Sequence, residues 1–468
     1  MAFKFSPLAS ALLALTASLP LQAMPLADEL AHVLENHPML RATRHAVDAS
    51  QQRIDAARSG YRPRVTVTGD GGLESIRSTS YKPSADMKLG NDGLVTPATA
   101  SDLARQKLGV SVEQSLYDGG RTRSAVELAQ VDLSIQDLNL GTLTQDVLLE
   151  ALTAYLQVGR YQTLIGLTRL NEETTLNQLD LESKRVAGGG GIAVDVLQAR
   201  TRLQIVKERR VYYQQALRDA MANYEQTFGH APDTLRLQDL DIPTAALPAD
   251  LAQALTQGVA ASPKLRVAAL QVARAGQSVE AVRASGLPAV DLVGAANRDR
   301  NAGATARRDD YSLLLRLSWT FATGFENQYR TAAALKDRLE QEERETGVRS
   351  KVKESIRVSW NQVVNGKERL ELLDNAAGIA RDVMLSRKRL RDAGKETALS
   401  ALDAEVEYFG VLANKINAMY DTRLGAYRLL SATGRLSPED VGIGGQLKLP
   451  VRPLRVDLGS IAGDGARP

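Results

Sequence analysis

The sequence predicts an α+β protein built from two similar halves, each a pair of strands joined to a very long helical hairpin. Three observations carry that reading. Sliding the chain by 205 positions lays Leu108–Gly229 on Leu313–Gly434 without a gap (229 + 205 = 434). Prolines are absent from Ala98 to Ala231 and again from Ala289 to Ser437, which leaves room for uninterrupted helices. Each copy opens on an alternating stretch, where Leu108, Val110 and Val112 meet Leu313, Leu315 and Leu317, so each opens on a strand. Repetition at this scale argues for two halves of one architecture rather than unrelated domains.

In chain order, Lys4 precedes an apolar run from Pro7 to Leu19, and Leu21-Gln22-Ala23 offers a small residue for cleavage. The run is too short to cross a bilayer as a helix, so residues 1–23 read as a secretory signal, the alternative being a buried N-terminal helix. The first repeat spans 24–229. Leu26 to Arg58 has helical periodicity broken at Asn36-His37-Pro38, where a new helix can begin. This segment has its own copy at a shift of 225 (263 − 38 = 225): Pro38, Leu40, Arg41, Val47, Arg58, Pro63 and Val65 meet Pro263, Leu265, Arg266, Val272, Arg283, Pro288 and Val290. The change of shift places an insertion of twenty residues (225 − 205 = 20) around Tyr81 to Asp102, expected as an exposed loop.

Four strands follow from period-two alternation. Val65 and Val67 alternate with Thr66 and Thr68; Leu108 to Leu116 alternates with Gly109, Ser111, Glu113 and Ser115; Val290 and Leu292 lead into small residues. The fourth puts Tyr311, Leu313, Leu315, Leu317, Trp319 and Phe321 on one face, and Ser312, Leu314, Arg316, Ser318 and Thr320 on the other. About ten residues with aromatics toward the ends is the pattern of a membrane-barrel strand. A half-buried strand of a soluble sheet is the alternative for any one of them. Four on a chain with a secretory signal, each beside a proline-free helix, favour the membrane. No later stretch reaches the 18 or so apolar residues of a spanning helix, so insertion would be by strands.

The helix after Gly119-Gly120 can run to Ala187, a rod of roughly 100 Å at 1.5 Å per residue. Leu133, Leu140, Val147, Ala154 and Tyr161 form one heptad stripe, and Leu128, Ile135, Thr142, Leu149 and Leu156 a second. Two stripes imply neighbours on both sides, as in a ring of helices. Gly188–Gly191 reverses the chain, and no Lys-Ser/Thr follows to make it a phosphate loop. The returning helix, Val194 to Phe228, closes at Gly229. Residues 230–248, with Pro232, Pro243 and Pro248, link the halves. The second repeat, 249–434, turns at Ala393-Gly394-Lys395, and a Gly- and Pro-rich tail covers 435–468.

Composition removes several functions. There is no cysteine, which excludes disulfides, a thiol nucleophile and a lipid-modified N-terminal cysteine. The four histidines have no metal spacing, so no metal or cofactor is expected. A net charge of +3 without a basic aromatic patch gives no reason for nucleic acid. No nucleophile, base and acid cluster lies near a glycine turn, so an enzyme is not expected.

In this order and in duplicate, the marks resemble the TolC family of outer-membrane efflux and secretion channels. They are Asn36-His37-Pro38 and Ser262-Pro263, the pre-strand Pro63 and Pro288, Leu116-Tyr117-Asp118-Gly119-Gly120, and the tip sequences Val194-Asp195-Val196-Leu197-Gln198-Ala199 and Ala401-Leu402-Asp403-Ala404. The resemblance implies a homotrimer whose protomers give four strands each to one twelve-stranded outer-membrane β-barrel, continuous with a periplasmic α-helical barrel. Open strand edges cannot stand in lipid, which independently calls for more chains. It implies no catalysis, and as partners outer-membrane lipid, a periplasmic adaptor and an inner-membrane transporter, ABC-type favoured over proton-driven.

By the same resemblance the helical tips carry the entrance constriction and the adaptor contact. Asp403 matches an acid that rings the pore, Ser400 stands where a second acid is expected, Asp195 matches a tip acid of the first half, and its neighbour Gln198 is neutral. A ring of Asp403 copies would favour cations; the alternatives are a solvated carboxylate for Asp403 and a helix N-terminal acid for Asp195. The adaptor contact falls on Gly189, Gly190, Gly394 and Lys395, which otherwise simply permit the reversal. Tyr117 to Arg121 and Trp319-Thr320-Phe321 look more like the protein-secreting branch, so type I secretion leads and small-molecule efflux is the alternative. A periplasmic helical adaptor or scaffold is the rival from another class, disfavoured because two hairpins, each led by a strand, are present.

Overall fold

The computed structural model describes residues 26–78, 81–82, 94–95, 99–233, 237–302, 305–321, 323–438 and 451–453. The signal at 1–23 lies outside them. The chain opens with α1 (Leu26–Asn36) and α2 (Pro38–Arg58), then β1 (Arg64–Ser78), a short pair β2 (Tyr81–Lys82) and β3 (Leu94–Val95), and β4 (Thr99–Tyr117). Helices α3 (Arg121–Ala187) and α4 (Ala193–Phe228) come next, followed by β5 (Gln238–Leu240). Then follow α5 (Leu251–Ala261), α6 (Pro263–Ser285), β6 (Ala289–Ala302), β7 (Thr305–Ser318), α7 (Glu326–Asp392), α8 (Ala398–Ala432) and β8 (Val451–Pro453). Pro38 and Pro263 each occupy the first helical position, where a missing N–H costs nothing. The two long helices α3 and α7 each have 67 residues. No helix among the described residues is long and apolar enough to cross a membrane.

The chain divides into two compact units, each drawing on both halves of the sequence. One comprises 39–143 and 262–354 and contains the main sheet. Its strands run β1-β4-β6-β7, antiparallel throughout, so the β4–β6 ladder joins the first half of the chain to the second. The register gives the sheet two chemically distinct faces. Val65, Val112, Gly294 and Leu313 lie side by side, as do Val67, Val110, Ala296 and Tyr311. The opposite face carries Thr66, Ser111, Ala295 and Ser312, with Arg316 reaching Glu113 at 3.7 Å. On the apolar face Tyr311, Leu313, Leu315 and Leu317 are exposed, from 68% to 81%. Side chains of that size left open along a whole face mark a surface meant for an apolar environment.

The strand boundaries correct two expectations. The insertion is not wholly a loop: Thr99–Asp102 belongs to β4 and pairs with Ser75–Ser78, lengthening both strands. Residues 83–93 and 96–98 lie outside the described residues. The fourth strand ends at Ser318, short of Trp319 and Phe321. There the Trp319 indole donates to the Gly286 carbonyl at 3.2 Å and its ring lies 4.3 Å from that of Phe321, which draws the chain off the ladder.

The other unit comprises 1–38, 144–261 and 355–468. Within it α3 is buried almost all round between Val147 and Leu167, including Leu148, Leu152, Tyr155, Val158 and Leu164. Both heptad stripes therefore find neighbours here. Leu167 of α3, Met384 of α7 and Tyr408 and Phe409 of α8 form one core cluster. Arg423 on α8 is 1% exposed and binds both Asp239 carboxylate oxygens, at 2.6 and 3.1 Å, while the Tyr427 hydroxyl donates to the Asp241 carbonyl at 2.8 Å. These bonds fasten β5, which also pairs with β8, so part of the tail adds a strand to the linker.

Candidate functional site: the two helical tips

Both tips lie in the second unit described above and are built the same way. At the end of α3, Gly190 N–H bonds the Arg185 carbonyl at 3.0 Å and Gly189 N–H the Val186 carbonyl at 3.1 Å. At the end of α7, Lys395 N–H bonds the Leu390 carbonyl at 2.9 Å and Gly394 N–H the Arg391 carbonyl at 2.9 Å. Each is a Schellman closure, in which the residue after the helix takes a left-handed φ and satisfies the last carbonyls. The angles are +77° at Gly189 and +69° at Gly394, positions that are 205 apart in sequence. An added Cβ at either would meet nothing within 4 Å. All of Gly189, Gly190, Gly394 and Lys395 are exposed.

The return helices start differently. Thr397 caps α8, its Oγ1 accepting from Ser400 N at 3.2 Å, with the two hydroxyl oxygens 3.0 Å apart. Ser400, placed by resemblance at an acidic position, thus helps close a helix N-terminus. The cap of α4 is Ile192, which has no side-chain acceptor, and Asp195 sits in the first turn, where its charge complements the helix dipole. Ile192, Val194 and Leu197 are exposed around this tip. The Oε1 of Gln198 is buried and takes no hydrogen bond among the described residues.

Asp403 is not a bare charge. Its Oδ1 accepts from Arg202 Nη2 on α4 at 2.8 Å, tying α4 to α8, with both side chains partly exposed. A pair this open stabilises by at most about 1 kcal/mol, so its importance is local position and charge. The sequence reading missed Arg202, because a partner 201 residues away leaves no periodic trace.

Behind the tips lies an ionic set around two buried charges, Glu405 and Arg391, that it also missed. Glu405 on α8 is 2% exposed and meets Lys388 of α7 at 3.0 Å. Burial pushes the Glu405 carboxyl above the usual range, with Lys388 and Arg391 acting against the shift. Arg391 also donates to Gln178 of α3 and to Asp392, and Arg387 pairs with Glu396 at 3.0 Å. A signal for Glu405 did exist: Ala401, Leu402, Ala404, Glu405, Tyr408 and Phe409 form one buried stripe, and Glu405 is its single charged member. No ligand chemistry follows from this set, whose charges are taken up by one another.

The sequence profile described as outer membrane efflux protein matches residues 30–230 and 254–435. The chain is 24% identical over 426 residues to the outer membrane efflux protein BepC of Brucella suis, covering 88% of this chain and 86% of that one. It is 23% identical over 435 residues to the alkaline protease secretion protein AprF of Pseudomonas aeruginosa, covering 90% and 86%. A crystal structure of CusC superposes with a TM-score of 0.73 at 14% identity, over 87% of this chain and 91% of that chain, a likeness of fold.

Proposed function

Since the chain belongs to the outer membrane efflux protein family, we propose that three copies form one conduit that receives substrate from an inner-membrane transporter through a periplasmic adaptor. The family and its neighbours are channel proteins, not enzymes, and the protein resides in the outer membrane and extends into the periplasm. The observation that carries the proposal is the four-stranded sheet with one apolar and one polar face and two open outer strands, β1 and β7. In lipid such a sheet is satisfied only by closure with further copies, and three copies give twelve strands, apolar side outward and polar side lining the bore.

Type I protein secretion is the leading cargo class. AprF is a protease secretion protein, and it shares nearly the whole length. Small-molecule efflux is the second reading, supported by the likeness to BepC. Deletion of the gene decides between them: loss of a secreted protein with unchanged drug sensitivity supports the first, and the reverse outcome replaces it. Should the protein fractionate away from the outer membrane, or never form a heat-sensitive trimer there, both fail.

The tips are proposed as the entrance, with Asp403, Ser400, Asp195 and Gln198 at the constriction and Gly189, Gly190, Gly394 and Lys395 toward the adaptor. Asp403→Ala removes the negative member of the Arg202 pair and unties α4 from α8. In planar bilayers its single-channel conductance is expected to rise and its selectivity to move toward anions, because the Arg202 guanidinium stays behind. Unchanged conductance and selectivity would take Asp403 out of the constriction.

A further inference from the structure

Toward the β6–β7 end, the apolar face of β6 and β7 gives way to charged residues that are mostly basic. One row beyond Val67, Val110, Ala296 and Tyr311, the same face carries Gly69, Leu108, Arg298 and Asp309. The next row carries Gly71, Gln106, Arg300 and Arg307. Rows on one face are two residues apart, so the arginines begin about 7 Å past the last apolar row. Asp309 accepts from Arg298 Nε at 2.8 Å and Arg307 Nη2 at 2.7 Å, and three arginines against one aspartate leave this patch with a net +2. Arg298, Arg300 and Arg307 are exposed. The remaining strand charges nearby, Arg105, Lys107, Asp70, Asp299, Arg308 and Asp310, occupy the alternate positions and belong to the other face.

Directly below the arginines the apolar face is grooved. Gly294 and Ala296 of β6 have almost no side chain, and they lie between Val110 and Val112 on one side and Tyr311 and Leu313 on the other. These six residues, with Ala295 and Ser312, line a shallow open depression in the sheet. Since Tyr117 and Ser318 lead into the helices, the basic rows stand at the far ends of β6 and β7, while β1 and β4 run on beyond them. With the helices on the periplasmic side, that is the outer leaflet.

We propose that this surface binds a phosphorylated lipid of the outer leaflet, one acyl chain in the groove and its phosphate on Arg298, Arg300 and Arg307. Charge complementarity selects an anionic headgroup, and continuity with the groove selects a lipid over a free anion. Guanidinium groups suit phosphate through paired N–H donors, and their alkyl stems can lie along the apolar edge. Asp309 holds two of the guanidiniums in one orientation before any phosphate arrives. The proposal rests on the membrane-channel reading above.

The test uses the full-length protein in neutral detergent, with binding followed by thermal shift. The probes are purified lipopolysaccharide, the same material dephosphorylated, and inorganic phosphate at matched concentration. Lipopolysaccharide is expected to raise the melting temperature, and the other two to leave it unmoved. R298Q/R300Q/R307Q is expected to bind roughly a hundredfold more weakly, at about fivefold per arginine near a charged lipid surface. R308Q, a matched charge loss on the opposite face, should bind as the unaltered protein does. Should the triple variant fail to fold, R300Q alone is expected to show the fivefold loss. Equal binding of the dephosphorylated lipid, an equal shift with inorganic phosphate, undiminished affinity in the arginine variants, or an equal loss in R308Q overturns the proposal. Fractionation of the unaltered protein keeps the two readings apart: absence from the outer membrane defeats the channel itself, whereas a membrane-inserted protein with unaltered variant affinity defeats only the lipid site.

Discussion

Gly394→Val is expected to abolish export while leaving folding and copy-to-copy assembly intact. The argument has two parts. Gly394 adopts φ +69°, where a residue with a Cβ is strained by roughly 1–2 kcal/mol, and a β-branched one more. No atom stands within 4 Å of the new Cβ, so the strain is confined to an exposed turn. A cost of this size at the end of a 67-residue helix does not unfold the protein. The altered turn geometry and added bulk would instead be felt by whatever docks there. Gly229→Val is the matched control, because Gly229 has φ +79° and open space but caps the far end of α4. Secretion assays with outer-membrane fractionation check both variants. Normal export by Gly394→Val, or equal loss from Gly229→Val, removes the tip from the adaptor contact.

The second large effect concerns stability. Asp239→Ala should destabilise the protein by about 3–5 kcal/mol, because it leaves the Arg423 guanidinium buried without its carboxylate. Asp241 lies 3.8 Å from Arg423 Nε, too far to replace a bidentate pair. Denaturant or thermal unfolding reads the loss. The reciprocal change sharpens the point: an Asp239→Leu, Arg423→Met double variant removes both charges and should recover most of the stability. A loss below about 1 kcal/mol in Asp239→Ala would mean that the pair is hydrated and contributes as a surface bridge does.

What the sequence disclosed and what it withheld follow from range. The tips were legible because the repeat places Gly189 over Gly394, and a helix that must stop and reverse needs a left-handed residue at a fixed offset from its end. The four strands were legible because each alternates within itself, as Tyr311 to Leu317 does. Ends were less legible, since what stops a strand is tertiary: Trp319 leaves the ladder for a carbonyl 33 residues back, and Thr99 joins it to meet Ser78. Pairings such as Arg202 with Asp403 and Arg423 with Asp239 join residues 201 and 184 positions apart. Nothing local in either partner announces them, because a charged residue on a helix reads the same whether it meets water or a counter-charge.

The order β1-β4-β6-β7 has one further consequence. Since neighbouring strands run oppositely, β7 of one copy and β1 of the next would also run oppositely, so each newcomer extends the same up-and-down weave. The two free borders are different sequences, so a β7–β1 join would be head-to-tail, unlike a two-fold pair in which like borders face. Such a join carries no stop signal of its own. In the proposed assembly the number of copies would be set by how sharply the sheet bends, and a change that flattens the bend would alter the width of the bore without touching a residue at any seam.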